Sequence, residues 1–428
     1  MQHKHFWFAL LLPIAGYSQK TTSDIIAKKA SAILPSVIEW RRDFHQHPEL
    51  SNQEFKTSAK IATFLRSLGL EVQTGVARTG VVALLKGSAP GPVLAIRADM
   101  DALPIREQTG LPFASTSRAL LGSDSVPVMH ACGHDAHMAI LMGTASILAS
   151  MKDRLHGTVK FIFQPAEEGT AGDSTGGALL MVNEGVMENP KVDAIIGLHI
   201  KSEVPSGTLR YKAGSFMAAA DWFDITVKGK GAHGSTPWNG IDPITIAAQI
   251  INSLQTIVSR QEDIVHSPVV ISVGQFNAGV RENIIPDNAF FKGTIRTFSP
   301  QVQADVHEKV SKMAKSIAAS WGAEADVHFN TKTLITYNDS ALTSSMLNAL
   351  YNAAGKDRVS MAEWGTVAED FSYYGTKAPS FFFNLGGMMP GTDPAKATGH
   401  HTSTFLIDDN KLDIGIRAFC EMAVSYLK

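Results

Sequence analysis

One change of pattern constrains the fold of this 428-residue chain more than any other feature. Up to about residue 208, and again from about residue 333, apolar strand-like runs alternate with helical patterns, whereas Leu209 to Lys332 follows a different order. In the outer parts Val93-Leu94-Ala95-Ile96, Val159–Phe163, Val192–Ile200 and Ser380–Leu385 are continuous apolar runs of strand length. Helical patterns at His137–Met151, Gly177–Val186, Leu342–Ala353 and Lys411–Tyr426 separate or follow them, and two more lie between Thr22 and Gly69. Strands that are apolar on both faces require cover on both, as in a largely parallel sheet with helices packed against it.

Inside the interruption the order is strand Trp222–Val227, helix Pro243–Arg260, strands Val269–Phe276 and Asn288–Phe298, helix Gln301–Trp321, and strand Ala325–Asn330. Val302, Val306, Val310, Met313 and Ile317 fall on one face of the second helix. This βαββαβ order is the split-βαβ, ferredoxin-like arrangement. The expected fold is α/β: a mostly parallel-sheet domain built from residues 19–208 and 333–428, with a ferredoxin-like domain, 209–332, inserted into it. Two cores suit a chain of this length.

Residues 1–18 stand apart. Lys4 precedes an apolar run, Phe6 to Ile14, and small residues follow at Ala15, Gly16 and Ser18, the layout of a secretory signal. The run is too short to span a bilayer. The chain is therefore expected to be exported, periplasmic or secreted, with no membrane span once the signal is removed. A net charge of −2 provides no field to draw nucleic acid.

The chemistry concentrates in Met129-His130-Ala131-Cys132-Gly133-His134-Asp135-Ala136-His137, followed one strand later by Glu167-Glu168. Thiol, imidazole and carboxylate are the ligands of zinc-like metals, and a second carboxylate beside them supplies a proton shuttle for metal-assisted hydrolysis. Ligands of open α/β sheets gather beyond the carboxyl ends of the strands. Asp99 and Asp101, Glu167 and Glu168, His199, and the His400-His401 pair all fall there, and the loop carrying Cys132 and His134 can reach the same rim. The other cysteine, Cys420, lies in an apolar helix pattern and reads as a core thiol.

These stretches resemble the metallo-aminoacylase and zinc carboxypeptidase-like superfamily, and within it the N-acyl-amino-acid amidohydrolase branch that includes hippurate hydrolases and indoleacetyl-amino-acid hydrolases. The resemblance runs from Arg41-Arg42-Asp43-Phe44-His45 and His47-Pro48-Glu49-Leu50 to the C-terminus. It takes in Arg97-Ala98-Asp99-Met100-Asp101, Gln164-Pro165-Ala166-Glu167-Glu168, Gly231-Ala232-His233-Gly234, Glu369-Asp370-Phe371, and His401 ahead of Phe405. It implies two divalent metal ions (zinc, manganese, cobalt or nickel) held by Cys132, His134, Glu168, His199 and His401. The Ser/Asn-Pro that usually follows the last ligand is here Thr402-Ser403, which leaves His400 as the alternative.

Glu167, free of metal if Glu168 is bound, fits the general base, and Asp101, with Asp99 and Asp135, fits a role orienting the ligands from behind. The resemblance further implies that His233 hydrogen-bonds the tetrahedral oxygen in the other subunit of a homodimer formed through the inserted lid domain. Asn283 and Arg296 would receive the substrate carboxylate. On the residues alone, His233 has the alternative of a turn histidine with a solvated ring, and Asn283 is equally a loop residue and Arg296 a strand-surface cation. The implied reaction is hydrolysis of N-acyl amino acids, small-molecule substrates, to a carboxylic acid and a free amino acid. A dipeptidase or carboxypeptidase of the same superfamily and an inactive ligand-binding homologue are the alternatives.

Overall fold

The computed structural model describes residues 21–169 and 176–428; the expected signal at 1–18 lies outside them. The larger sheet has eight strands in the order Glu71–Val76, Gly80–Lys86, His156–Gln164, Ala89–Asp99, Ala194–Pro205, Ser380–Met388, Leu209–Tyr211 and Val359–Met361. The pairings at its centre are parallel: Ala89–Asp99 lies between His156–Gln164 and Ala194–Pro205, and Ser380–Met388 extends the latter. The first two strands join His156–Gln164 in antiparallel fashion.

The period of two along Ala89–Asp99 sorts its side chains between the two layers that cover the sheet. Leu94, Ile96 and Ala98 enter a core shared with helices Thr22–Gln46, His134–Ala149, Ser340–Ala354 and Leu412–Tyr426. Val93 and Ala95 enter a second core with helix Gly177–Asn183 and the 3₁₀ segment Asp370–Thr376. Helix His134–Ala149 is apolar almost all round and buried along its length, as its place against the middle of the sheet demands. Cys420 lies in the first of these cores as a free thiol.

The insertion forms its own antiparallel sheet in the order Val270–Ala278, Asn288–Thr297, Ala219–Lys228 and Glu324–Thr333. Helices Pro243–Thr256 and Pro300–Ser320 cover one face, packing Ile250, Leu254, Val306 and Val310 against Phe223, Ile225, Phe291 and Ile295. Both helices start with proline at the first turn behind a side-chain cap, Asp242 and Ser299 respectively. Leu209–Tyr211 pairs within the larger sheet, so the chain changes sheets a few residues beyond the expected 208/209 and 332/333 junctions. The two crossing segments, Gly214–Met217 and Thr336–Asn338, run side by side as an antiparallel pair. Among the described residues no helix is long and apolar enough to cross a membrane.

Candidate metal centre

Three parallel strands end at one rim, and their last residues and following loops supply most of its polar groups. Asp99 ends the middle strand, Gln164 ends its neighbour ahead of Glu167 and Glu168, and His199 lies inside Ala194–Pro205. Cys132 and His134 flank Gly133, the residue preceding helix His134–Ala149. Gly133 has φ 96°, and a Cβ there would lie 2.3 Å from Ile200 Cγ2, so only glycine lets the chain turn both neighbours toward the rim.

The five expected ligands meet. Cys132 Sγ lies 3.4 Å from His199 Nε2 and 3.3 Å from His401 Nε2. His401 Nε2 is 3.0 Å from Glu168 Oε1, and His134 Nε2 is 4.0 Å from the same oxygen. Ligand atoms of Cys132, Glu168 and His401 form one compact group; those of His134, Glu167 and Glu168 form another. His400 also approaches Cys132, from the His199 side, but its Nε2 faces the Ser202 N–H at 3.4 Å and the Glu203 carboxylate at 3.6 Å. His401 adopts φ 60°, a left-handed conformation rare for a residue with a Cβ, and its N–H donates to the Ala131 carbonyl at 2.8 Å.

Hydrogen bonds behind the ligands set which nitrogen faces inward. His134 Nδ1 donates to the Asp101 carbonyl at 2.9 Å and His199 Nδ1 to the Ile200 carbonyl at 2.6 Å, leaving each Nε2 toward the cluster. His137 is satisfied at both nitrogens: Nδ1 donates to Asp99 at 2.6 Å and Nε2 accepts from the Ile200 N–H at 2.9 Å. The third imidazole of this helix-entry motif, His130, is buried without a hydrogen-bond partner, and burial pushes it down to about 3, so it stays neutral.

The Glu167-Glu168 turn is held from below by carboxylates. Asp101 accepts from the Glu167 and Glu168 amides, each at 3.0 Å, and from Ser51 Oγ at 2.7 Å. Glu54 accepts from the Ala166 amide at 2.9 Å and from Thr79 Oγ1 at 2.6 Å, and Ala166 has φ 53°. Burial first, then the Asp101 charge, pushes the Glu54 carboxyl up to about 7.

To one side, fully buried Arg97 pairs with Asp99 at 2.7 Å, Glu369 at 2.9 Å and Asp370 at 3.0 Å, and donates to Gln164 at 2.8 Å. Glu369, Asp370 and Glu167 form a third close group of carboxylates. To the other side, Asp135 receives Arg41 at 2.9 Å and His45 Nδ1 at 2.8 Å, while His45 Nε2 faces Glu107 at 3.1 Å.

The donor set fits dications. Buried Glu168 Oε1 has His401 Nε2 at 3.0 Å, whereas buried His134 Nε2 faces carboxylate oxygens of Asp99, Glu167 and Glu168 at 3.7, 3.9 and 4.0 Å, beyond hydrogen-bond reach, an arrangement that costs free energy unless something binds there. Burial opposes the Cys132 thiolate, yet the neighbouring imidazoles of His134, His400 and His401 outweigh it and hold the thiol well below its usual range. Burial, then the Cys132 charge, pushes Glu168 up to about 7. Burial, then the Glu369 and Glu168 charges, pushes Glu167 well up. A buried excess of negative groups around thiolate, imidazole and carboxylate donors is the environment of a cation site.

The insert residues are elsewhere. The short strand Ala232–His233 pairs with Ile284–Ile285, and the Gly234 N–H donates to the Asn283 carbonyl at 2.9 Å, so His233 and Asn283 share one corner. His233 is exposed, its Nδ1 accepting from Ser235 Oγ at 2.8 Å. Arg296 lies on strand Asn288–Thr297, its guanidinium donating to the Thr294 hydroxyl and to the Ile295 carbonyl at 3.1 Å. Among the described residues, no hydrogen bond or ion pair joins these three to the metal-binding group.

Of the supporting residues, Glu54 and Glu107 have no place in the sequence reading, and Arg41 and His45 enter it only as motif letters, as do Arg97, Glu369 and Asp370. Arg97 carries a usable signal, since a charge inside an otherwise apolar strand must be paired. Glu54 carries none, because its burial depends on contacts more than a hundred residues away in sequence.

The sequence model of peptidase family M20/M25/M40 matches residues 95–425. The chain is 42% identical over 395 residues to an N-acetylcysteine deacetylase of Bacillus subtilis, covering 92% of this chain and 97% of that protein. It is 40% identical over 392 residues to thermostable carboxypeptidase 1 of Saccharolobus solfataricus, covering 91% and 95%. Among solved structures, the Bacillus subtilis YXEP protein, described as a dinuclear metal binding peptidase, superposes with a TM-score of 0.78 at 39% identity, covering 92% of this chain and 99% of that one.

Proposed function

The chain belongs to peptidase family M20/M25/M40, and from that membership and the rim geometry we propose that it is a two-metal amidohydrolase splitting N-acyl amino acids into a carboxylic acid and a free amino acid. The observation that carries the reading is the convergence of five metal-binding side chains with a carboxylate, Glu167, left over beside them. Cys132, His134, Glu168, His199 and His401 would hold the ions, with His401 favoured over His400 because it faces Cys132 and Glu168 together. Bound there, two divalent ions supply the Lewis acidity that lowers the pKa of water and polarises a carbonyl. The similarity to an N-acetylcysteine deacetylase supports the acyl-amino-acid substrate, and that to a dinuclear metal binding peptidase supports two ions.

Glu167 is the general base: it takes a proton from the attacking water and returns it to the leaving amine. Its buried, carboxylate-rich surroundings raise its proton affinity, which such a shuttle needs near neutral pH. Asp101 and Asp99 orient His134 and the Glu167-Glu168 turn. The insert acts as a lid and dimerisation domain: in a homodimer its closure brings Arg296 and Asn283 to the substrate carboxylate, and a partner's copy of the His233 position to the developing oxyanion. The protein works after export, in the periplasm or outside the cell. Zinc, manganese, cobalt and nickel all suit the donor set.

The carboxypeptidase similarity favours a second reading, cleavage of a C-terminal residue from a peptide. An inactive binder is disfavoured because ligand capture has no use for a proton-accepting Glu167. The deciding experiment measures metal content and turnover on N-acetyl, N-benzoyl and indoleacetyl amino acids and on dipeptides, before and after chelation. Chelator-sensitive release from the acylated amino acids is expected. Turnover confined to peptides moves the assignment to carboxypeptidase or dipeptidase, and a fully metallated protein inert on the whole panel overturns the enzymatic reading.

A further inference from the structure

Three successive amides, those of Ala166, Glu167 and Glu168, point at two buried carboxylates that come from distant parts of the chain. Asp101 takes the second and third, and it also lies 3.4 Å from His134 Nδ1, so it registers the turn to the metal side of the rim. Glu54 takes the first alone. It precedes helix Phe55–Ser67 at the usual capping position, yet its side chain makes no cap bond; fully buried, it reaches Ala166 instead. Its other oxygen accepts from Thr79, which closes a turn whose Ala77 and Arg78 both have positive φ. Ala166 itself sits at φ 53°, where crowding between Cβ and carbonyl disfavours any residue but glycine. A strained residue immediately before a functional pair persists only when its neighbours over-determine it.

We propose that Glu54 is a positioning residue for the general base: its bond to the Ala166 amide holds the left-handed turn that sends Glu167 and Glu168 from adjacent positions to different tasks. This role rests on the reading of Glu167 as base and Glu168 as ligand. Release of Ala166 N–H lets the backbone relax, and the first side chain to move is Glu167: Asp101 still holds both amides, but His401 pairs with the Glu168 carboxylate at 3.0 Å, whereas His134 lies 3.9 Å from that of Glu167. A small misplacement of a reacting group is enough to cost about 10²-fold in rate.

The test is steady-state kinetics with metal analysis on metal-loaded Glu54→Ala, Glu54→Gln and the double variant Glu54→Ala/Ala166→Gly. Glu54→Ala is expected to lose roughly 10- to 100-fold in kcat while KM and metal content hold. Glutamine keeps an acceptor for the Ala166 amide and a partner for Thr79, and should rescue most of the loss. Glycine at 166 accepts positive φ without strain and should recover part of it, which a merely space-filling Glu54 would not allow. Wild-type kcat in folded Glu54→Ala, or equal losses in the alanine and glutamine variants, overturns the proposal. If Glu54→Ala does not fold, Thr79→Val, which frees one Glu54 oxygen, must lower kcat without changing KM, and unchanged kcat there overturns it too. Glu167→Gln run in parallel separates the two levels: if it retains turnover the functional reading fails, whereas if it is inactive and Glu54→Ala is not, only the positioning role fails.

Discussion

The rim of the large sheet and the His233 corner of the insert both carry polar groups that the sequence marks out, but they are built in opposite ways. At the rim, half-exposed His401 apart, the inward-facing groups are fixed by other buried groups: His134 by Asp101, Glu167 and Glu168 by the same Asp101, and Asp99 by Arg97 and His137. At the corner His233 is exposed and bonded to its own turn, and Arg296, near the far end of strand Asn288–Thr297, donates to Thr294 and Ile295 of that same strand. Water-excluded, over-determined groups act without reorganising, which is the requirement for holding ions and moving a proton. Under the proposed function, the exposed groups would acquire their partners later, from a closing domain or a second subunit. The contrast predicts that damage at the rim abolishes chemistry, and that damage at the corner lowers it in a way another molecule can repair.

The largest effect is expected from Glu167→Gln. Losing the proton shuttle should lower kcat by about 10³-fold or more with metal content unchanged. Metal analysis beside turnover checks this, and loss of metal together with activity would make Glu167 part of the ligand set instead.

Next comes the corner. His233→Ala should lose about 10²-fold in kcat, the size of one oxyanion donor, with unchanged metal content and thermal stability. Mixing His233→Ala with Glu167→Gln protein under conditions that exchange subunits sharpens the comparison. A mixed dimer contains one site with both groups intact, so activity should rise well above that of either parent. Mixtures that stay as inactive as the parents would place His233 in its own subunit's site or outside catalysis.

These two regions also differ in how legible they are from sequence. The rim could be read because metal-ligand chemistry restricts residue type and because strand ends restrict place: Cys132, His134, Glu168, His199 and His401 lie in a chain of neighbours along it. The insert's βαββαβ order could be read because its apolar faces repeat cleanly; Val306 and Val310 are in its core, with Val302, Met313 and Ile317 packed against it. The hairpin Glu71–Val76/Gly80–Lys86 could not. Its turn uses Ala77 and Arg78 at positive φ in place of the Asn-Gly that marks such turns, and an acceptor from far away, Glu184, receives the Ala77 amide at 2.7 Å. The same holds for Glu54 and for the His45–Asp135–Arg41 group, whose partners are set by tertiary contact alone.

A smaller effect is expected at Arg296. Lysine keeps the charge but loses the planar fork, so Arg296→Lys should raise KM for N-acyl amino acids roughly tenfold, with a lesser change in kcat. Esterifying the substrate's carboxylate should erase the difference between variant and wild type. If the ester still discriminates between them, Arg296 acts on something other than that carboxylate.

The smallest effect probes the support behind the rim, where the contrast with the corner is one of stability. His45 is held between Asp135 and Glu107; burial disfavours its charge, but the two carboxylates outweigh it and raise its pKa above 6.5. The protonated ring therefore stabilises the fold fully below pH 6.5, and that contribution fades as pH rises through the raised value in the folded state. Glutamine can hydrogen-bond but cannot carry the charge, so His45→Gln should cost about 1 kcal/mol at pH 6 and progressively less on the alkaline side. Chemical denaturation of both proteins from pH 6 to 10 measures this directly. A His45→Gln penalty that is constant with pH, or grows with it, would mean that His45 is neutral in the fold and that Arg41 alone balances Asp135.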